Sequence, residues 1–207
     1  KVRYVCSDML RAYLKVIKKK APNALNILDR FHIMKKFNEA IDEIRRQEAK
    51  ELLQHSKEHI LVHSRWALLK NKPNLTEKQV VKLKELLRQK LRSVTGYLLR
   101  EDFQRFWRYR SIAWAEKFLG DWTKRTMYSK LEPMKKVARM LRNHKELMLN
   151  WFRADGKISN GAVEGLNLKA KLTMRKAYGF RNVKTLQIAL YHTLGNLPEP
   201  KTVHRFC

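Results

Sequence analysis

Between Ile33 and about Trp151 the chain is built from long, charged stretches in which apolar residues recur at helical spacing, and little in it can break a helix: all 207 residues include only seven glycines and five prolines. So few turn formers, with 44% hydrophobic content, predict a mostly helical protein that can bury a sizeable core. Leu52, Leu53, Ile60 and Leu61 predict one amphipathic helix. Val80, Leu83, Leu86, Leu87 and Leu91 predict a second, opened by the capping-type Thr76-Glu77, with Asn71-Lys72-Pro73-Asn74 as the linker between them. Phe103, Phe106, Trp107, Trp114, Phe118 and Trp122 crowd a third region, and Met134, Val137, Ala138, Leu141, Leu147 and Met148 form a fourth. The aromatics are expected to close a helical core. Arg105, Arg108 and Arg110 interleave with them, so the other reading is a surface on which nucleic-acid bases stack.

The first thirty residues follow another pattern. Val2-Arg3-Tyr4-Val5-Cys6 is rich in β-formers and ends at Ser7-Asp8. A helix follows, with Met9, Leu10, Tyr13, Leu14 and Ile17 on one face, stopping near Pro22. Asn26-Ile27-Leu28 reads as a second strand, closed by Asp29-Arg30-Phe31-His32. Strand, helix, strand is the signature of a parallel α/β unit, whose functional groups gather at the carboxyl ends of the strands. Asp8 and Asp29 both fall there. After Trp151-Phe152 comes a small polar loop, Arg153 to Lys157, then a helix from Gly161 to about Lys176, a break at Tyr178-Gly179-Phe180-Arg181-Asn182, and an apolar helix from Val183 to Leu194. The architecture expected is an α/β core interrupted by a helical insertion and then resumed.

A formal net charge of +27, from 46 Lys+Arg against 19 Asp+Glu, implies a polyanionic partner. Nucleic acid is the leading candidate; an anionic membrane surface and a ribosome-like assembly are the alternatives. No apolar run is long enough to span a bilayer, and the N-terminal residues lack a signal-peptide core, so the default is an intracellular protein. Cys6 and Cys207 stand at opposite ends, which argues against a disulfide framework or a zinc site and leaves both as free thiols.

In so basic a chain, acids at strand ends and helix starts draw attention. Ser159 or Asn160 can cap the helix that carries Glu164 in its first turn, so Glu164 is either a dipole-stabilising capping acid or a cation ligand. Two-metal phosphodiester chemistry uses a few carboxylates to hold Mg²⁺ ions about 3.5–4 Å apart, and Asp8 and Glu164 are the right residue types for it. Lys169, Lys171, Arg175 and Lys176, on or just after the Glu164 helix, are candidate phosphate contacts, with Arg181 in the following turn. Lys18-Lys19-Lys20 and Lys135-Lys136 read as solvated faces.

The run Val5-Cys6-Ser7-Asp8-Met9-Leu10-Arg11-Ala12-Tyr13, then Pro22-Asn23-Ala24 leading to Asp29-Arg30-Phe31-His32, and finally Ser159-Asn160-Gly161-Ala162-Val163-Glu164-Gly165 with Gly179-Phe180-Arg181-Asn182, resembles the DDE transposases of the ISL3 insertion-sequence family. The resemblance covers nearly the whole chain and is stronger at its ends than in its helical middle. It implies an RNase H-like core with a large all-α insertion: residues 1–42 as one core piece, 43–150 as the insertion and 151–207 as the core piece carrying the Glu helix. It implies Mg²⁺- or Mn²⁺-dependent cutting of transposon ends, with their terminal inverted repeats, and joining to target DNA in the bacterial cytoplasm or nucleoid, with a homo-oligomer plausible on family grounds. Asp8 matches the second catalytic Asp and Glu164 the catalytic Glu, both metal ligands. Asp29 and His32 match the family's Asp-x-x-His motif, with His32 in a supporting role that orients a phosphate or the strand; its plainer reading is a satisfied buried histidine.

Such enzymes carry a first Asp on an earlier strand, and Lys1 stands just before the Asp8 strand. The chain is therefore expected to be the C-terminal part of a transposase, inert alone while keeping DNA affinity. Two other readings stand beside this one: a non-catalytic basic nucleic-acid-binding domain, and a helical interaction or ribosome-associated protein.

Overall fold

The computed structural model describes residues 2–54, 60–156 and 161–195, without the side chains at 161–164, 166 and 167. The predicted cap at Ser159 or Asn160, the Glu164 side chain and Cys207 lie outside the described residues. The chain is predominantly helical and divides into two compact units, Lys1–Ile158 and Ser159–Cys207.

The first unit opens with strand β1 (Tyr4–Ser7), helix α1 (Arg11–Lys20) and strand β2 (Leu25–Leu28), in which β1 and β2 pair parallel with Tyr4 opposite Leu25 and Ser7 opposite Leu28. Each strand lies within two residues of its predicted place. The predicted face of α1 is only half used: Met9, Leu14 and Ile17 are partly buried, whereas Leu10 and Tyr13 are exposed. Helix α2 (Arg30–Gln54) begins directly after β2, three residues before the expected start. Asp29 is the reason. Its carbonyl accepts from Ile33 N (3.2 Å) and its Oδ1 from Phe31 N (3.1 Å), which makes it the N-cap and places Arg30, Phe31 and His32 in the first helical turn.

Helices α3 (Arg65–Leu69), α4 (Glu77–Leu87), α5 (Arg92–Phe103), α6 (Ile112–Tyr128), α7 (Glu132–Asn143) and α8 (Lys145–Arg153) complete the unit. Ile60 and Leu61 belong to a turn, so the helix that holds Leu52 and Leu53 ends before them. The α4 start carries a full capping box between Thr76 and Gln79, and Leu91 lies beyond its end as the residue preceding α5. On α2, Ile33, Phe37, Ala40, Ile41 and Ile44 are buried at i, i+4, i+7, i+8 and i+11, one stripe that packs on α5 and α7. Leu28 of β2 joins the same hydrophobic cluster, which continues through Tyr97, Phe103, Phe106, Trp122, Met134, Leu141 and Leu149. Position 42 falls inside α2, so this one helix carries both the strand pair and the helical region.

Five of the six predicted aromatics are buried, with Phe37, Phe103 and Trp122 in mutual ring contact at 4.7–5.4 Å. Such rings remove about 150–250 Å² each from water, so their place is the core and not a base-stacking surface. Trp114 is the exception, 59% exposed with Lys117 Nζ 5.3 Å from its ring centre. The unit closes on a turn in which Gly156 (φ +64°) approaches Trp151 so tightly that a Cβ there would lie 2.7 Å from the indole. Asn150 of α8 reaches back to β2, its Nδ2 donating to Asn26 O at 2.7 Å.

The second unit holds α9 (Gly161–Lys176) and α10 (Val183–Leu194), as predicted. Between them Tyr178 (φ +50°) and Gly179 (φ +99°) turn through the left-handed region, with Gly179 N donating to Met174 O (3.0 Å). Asn182 caps α10, accepting from Thr185 N at 2.8 Å. Glycine and asparagine in the Gly179-Phe180-Arg181-Asn182 run thus have a conformational reason to be there. Among the described residues no helix is long and apolar enough to cross a membrane.

Candidate active site at the carboxyl edge of the strand pair

The parallel register puts Asp8 and Asp29 side by side, each the first residue beyond its strand; Asp29 N donates to Ser7 O (2.9 Å), extending the ladder by one bond. Carboxyl ends of adjacent parallel strands are where α/β folds place their chemistry. The two acids nevertheless do different work. Asp8 is partly exposed, its Oδ1 accepts from Leu10 N (2.8 Å), and among the described residues Oδ2 takes no hydrogen bond. Asp29 is 4% exposed and spends both oxygens locally, Oδ1 on the α2 cap and Oδ2 on His32 Nδ1 at 2.8 Å. An ionised carboxylate only accepts, so Nδ1 carries the proton and Nε2 is the remaining polar atom of the ring.

His32 is one-third exposed and lines a cavity of about 290 Å³ together with Asp8, Met9, Leu10, Lys35 and Lys36. Here a carboxylate, an imidazole held by a buried acid and two ammonium groups face one solvent-open space. His32 is thus not a buried core histidine. Lys35 and Lys36 went unnoticed in the sequence, although they stand three and four residues after His32, on the same helical face. Lys36 is partly committed, pairing with Glu39 at 2.8 Å. Cys6 lies in β1; burial, and secondly the Asp29 charge, push its thiol up to about 11, so it stays protonated near neutral pH and is no nucleophile.

As a cation site the visible donor set is small. Asp8 offers a hard oxygen of the kind Mg²⁺ takes, but among the described residues no group of three His, Cys, Asp or Glu side chains comes together. The other carboxylate singled out in the sequence, Glu164, lies on α9 in the second unit. Lys169, Lys171, Arg175, Lys176 and Arg181 are all exposed. On α9, Lys169 and Lys176 are seven apart and share one face, whereas Lys171 and Arg175 are four apart and share another, so this helix offers two basic faces.

Comparison with known proteins places these features in a family context. The ISL3-type DDE family model, described as a transposase, matches residues 1–190. The transposase for insertion sequence element IS1001 of Bordetella parapertussis is 33% identical over 184 residues, covering 88% of this chain and 45% of that protein. The transposase for insertion sequence element IS1557 of Mycobacterium tuberculosis is 23% identical over 220 residues, covering 95% of this chain and 49% of that protein. The chain spans about half the length of the curated relatives it matches. No solved structure matches.

Proposed function

Because this chain belongs to the ISL3 family of transposases, matched over residues 1–190, we propose that it supplies part of the catalytic core of a DNA transposase that cleaves transposon ends at their inverted repeats and joins them to target DNA. The single observation that carries this reading is the carboxyl edge of β1–β2, where Asp8 meets the Asp29–His32 pair over one cavity. The strand pair, residues 1–42, and the segment 151–207 are then two pieces of an RNase H-like core, and 43–150 is its helical insertion. Asp8 and Glu164 would hold Mg²⁺ or Mn²⁺. The chemistry such an ion supplies when bound is activation of the attacking oxygen and neutralisation of charge on the leaving oxygen.

The protein's own groups do the rest. Leu10 N holds Oδ1 of Asp8, so Oδ2 would be the atom left to a cation. Asp29 holds the His32 ring so that Nε2 can contact a phosphate oxygen or orient the strand, and Lys35 adds positive charge at the same cavity. Lys169, Lys171, Arg175, Lys176 and Arg181 carry the DNA backbone past the Glu164 helix, and two transposon ends brought together favour a homo-oligomer. The net charge of +27 on its own also suits a purely DNA-binding protein.

Carboxylate substitution separates the two readings, whereas salt dependence does not, since counterion release accompanies either. In the complete gene product that contains this chain, Glu164→Gln is expected to abolish strand cleavage on an inverted-repeat duplex while leaving duplex affinity within about twofold. Cleavage at the unmodified rate would remove Glu164 from the catalytic set, and DNA binding without cleavage by the unmodified protein would leave binding as the function.

A further inference from the structure

Two exposed arginines from separate elements meet at Trp107, one over its ring and the other its neighbour in the chain, and among the described residues neither has a counter-ion. Arg30 is in the first turn of α2, and Arg108 ends the short 3₁₀ turn Gln104–Arg108 that follows α5. The Arg30 guanidinium lies 5.4 Å from the Trp107 ring centre. Trp107 is a fixed platform, 6% exposed and in edge contact with Phe106 (4.9 Å) and Trp151 (5.3 Å). A guanidinium stacked this way loses little further freedom on binding, and its N–H fork stays in plane for a bidentate oxyanion.

The arrangement is electrostatically uphill as it stands. Burial, and secondly the Arg108 charge, push the Arg30 guanidinium below its ordinary value. Among the described residues neither arginine has a carboxylate in salt-bridge range; the adjacent Asp29 has both oxygens engaged, by Phe31 N and by His32. Several other arginines of this unit are paired: Arg45 with Asp42, Arg105 and Arg125 with Asp102, Arg139 with Glu132. Asp29 also caps α2, so the guanidiniums rather than the helix terminus are what an anion would meet.

We propose that Arg30 and Arg108 together clamp one phosphate of the DNA strand that passes the carboxyl edge of β1–β2, so that the turn after α5 and the first turn of α2 fix the strand relative to Asp8. This rests on the DNA-processing reading above and adds to it two residues, one of them from the helical region, that set the strand's position.

Fluorescence anisotropy of a short labelled duplex with this chain tests the clamp. Arg30→Ala and Arg108→Ala are each expected to weaken binding about five- to tenfold and to lower the slope of log affinity against log salt by about one. The double variant should be barely weaker than either single one, because one phosphate is lost only once. Arg30→Lys should keep the salt slope yet recover only part of the affinity, since it restores charge without the fork; it also serves if Arg30→Ala disturbs the fold, which thermal melting would reveal. Unchanged affinity in the double variant, or losses that multiply fully, overturns the clamp while DNA binding by the parent chain stands. A parent chain that binds no DNA overturns the clamp and the DNA reading together.

Discussion

Asp8→Asn is expected to lower strand cleavage by the complete gene product about a thousandfold or more, with melting temperature and duplex affinity unchanged. Asparagine has the same shape, and its side-chain carbonyl still accepts from Leu10 N, so the edge of β1 and the start of α1 keep their geometry. What disappears is the negative charge. If Asp8 holds a cation as proposed, its loss removes several kcal/mol of transition-state stabilisation, and at about 1.4 kcal/mol per tenfold, roughly 4 kcal/mol is a thousandfold. Asp29→Asn acts differently, because Asp29 meets the cavity only through His32.

The largest effect on stability is expected at Glu48. This glutamate on α2 is 5% exposed, and its carboxylate accepts from Arg92 N (2.6 Å), Ser93 N (3.0 Å) and Ser93 Oγ (2.6 Å). It thus caps α5 from another helix, supplying the side-chain acceptor that the residue at the cap position, Leu91, cannot. Glu48→Ala strands two backbone amides and a buried hydroxyl at once, while the neighbouring Arg92–Glu51 pair is exposed and contributes little. Leaving buried partners of a charged group unsatisfied costs about 3–5 kcal/mol, which in a protein of this size lowers the melting temperature by roughly 6–20 °C. Glu48→Gln, which keeps one acceptor oxygen, should cost less than half as much. Calorimetry of the three proteins measures both differences.

Elements whose cause is local were legible in the sequence. β-formers ended by Ser7-Asp8, the stripe on α4, and the apolar run from Val183 to Leu194 each specify their structure from neighbouring residues, and the observed elements lie close to the expected ones. The acids at the strand ends were legible for the same reason, since parallel pairing fixes which ends meet. The start of α2 was misjudged because Asp29 looks like a strand terminator, and only its hydrogen bonds to Phe31 and Ile33 make it a helix cap. Glu48 and Arg100 were invisible: in a sequence with 31% charged residues every charge looks solvated, yet Arg100 is 1% exposed and spans Asn38 Oδ1 (2.7 Å), Leu69 O (3.0 Å) and Glu101 Oε1 (2.9 Å). Apart from Glu101, the neighbour of Arg100, their partners are 30 to 62 residues away along the chain, and periodicity holds no record of that. Trp114 fits the helical spacing of its neighbours, but its indole faces solvent and Lys117.

One cation shared by Asp8 and Glu164 is the central claim, and iron-mediated affinity cleavage tests it most directly. Fe²⁺ bound in place of the proposed Mg²⁺ in the complete gene product would generate radicals under ascorbate and peroxide that cut the backbone next to the ion. Cuts close to both residue 8 and residue 164, suppressed by excess Mg²⁺ and lost together in Asp8→Asn, are the predicted result. Cuts at only one of the two positions, or cuts that persist unchanged in Asp8→Asn, would contradict a shared site.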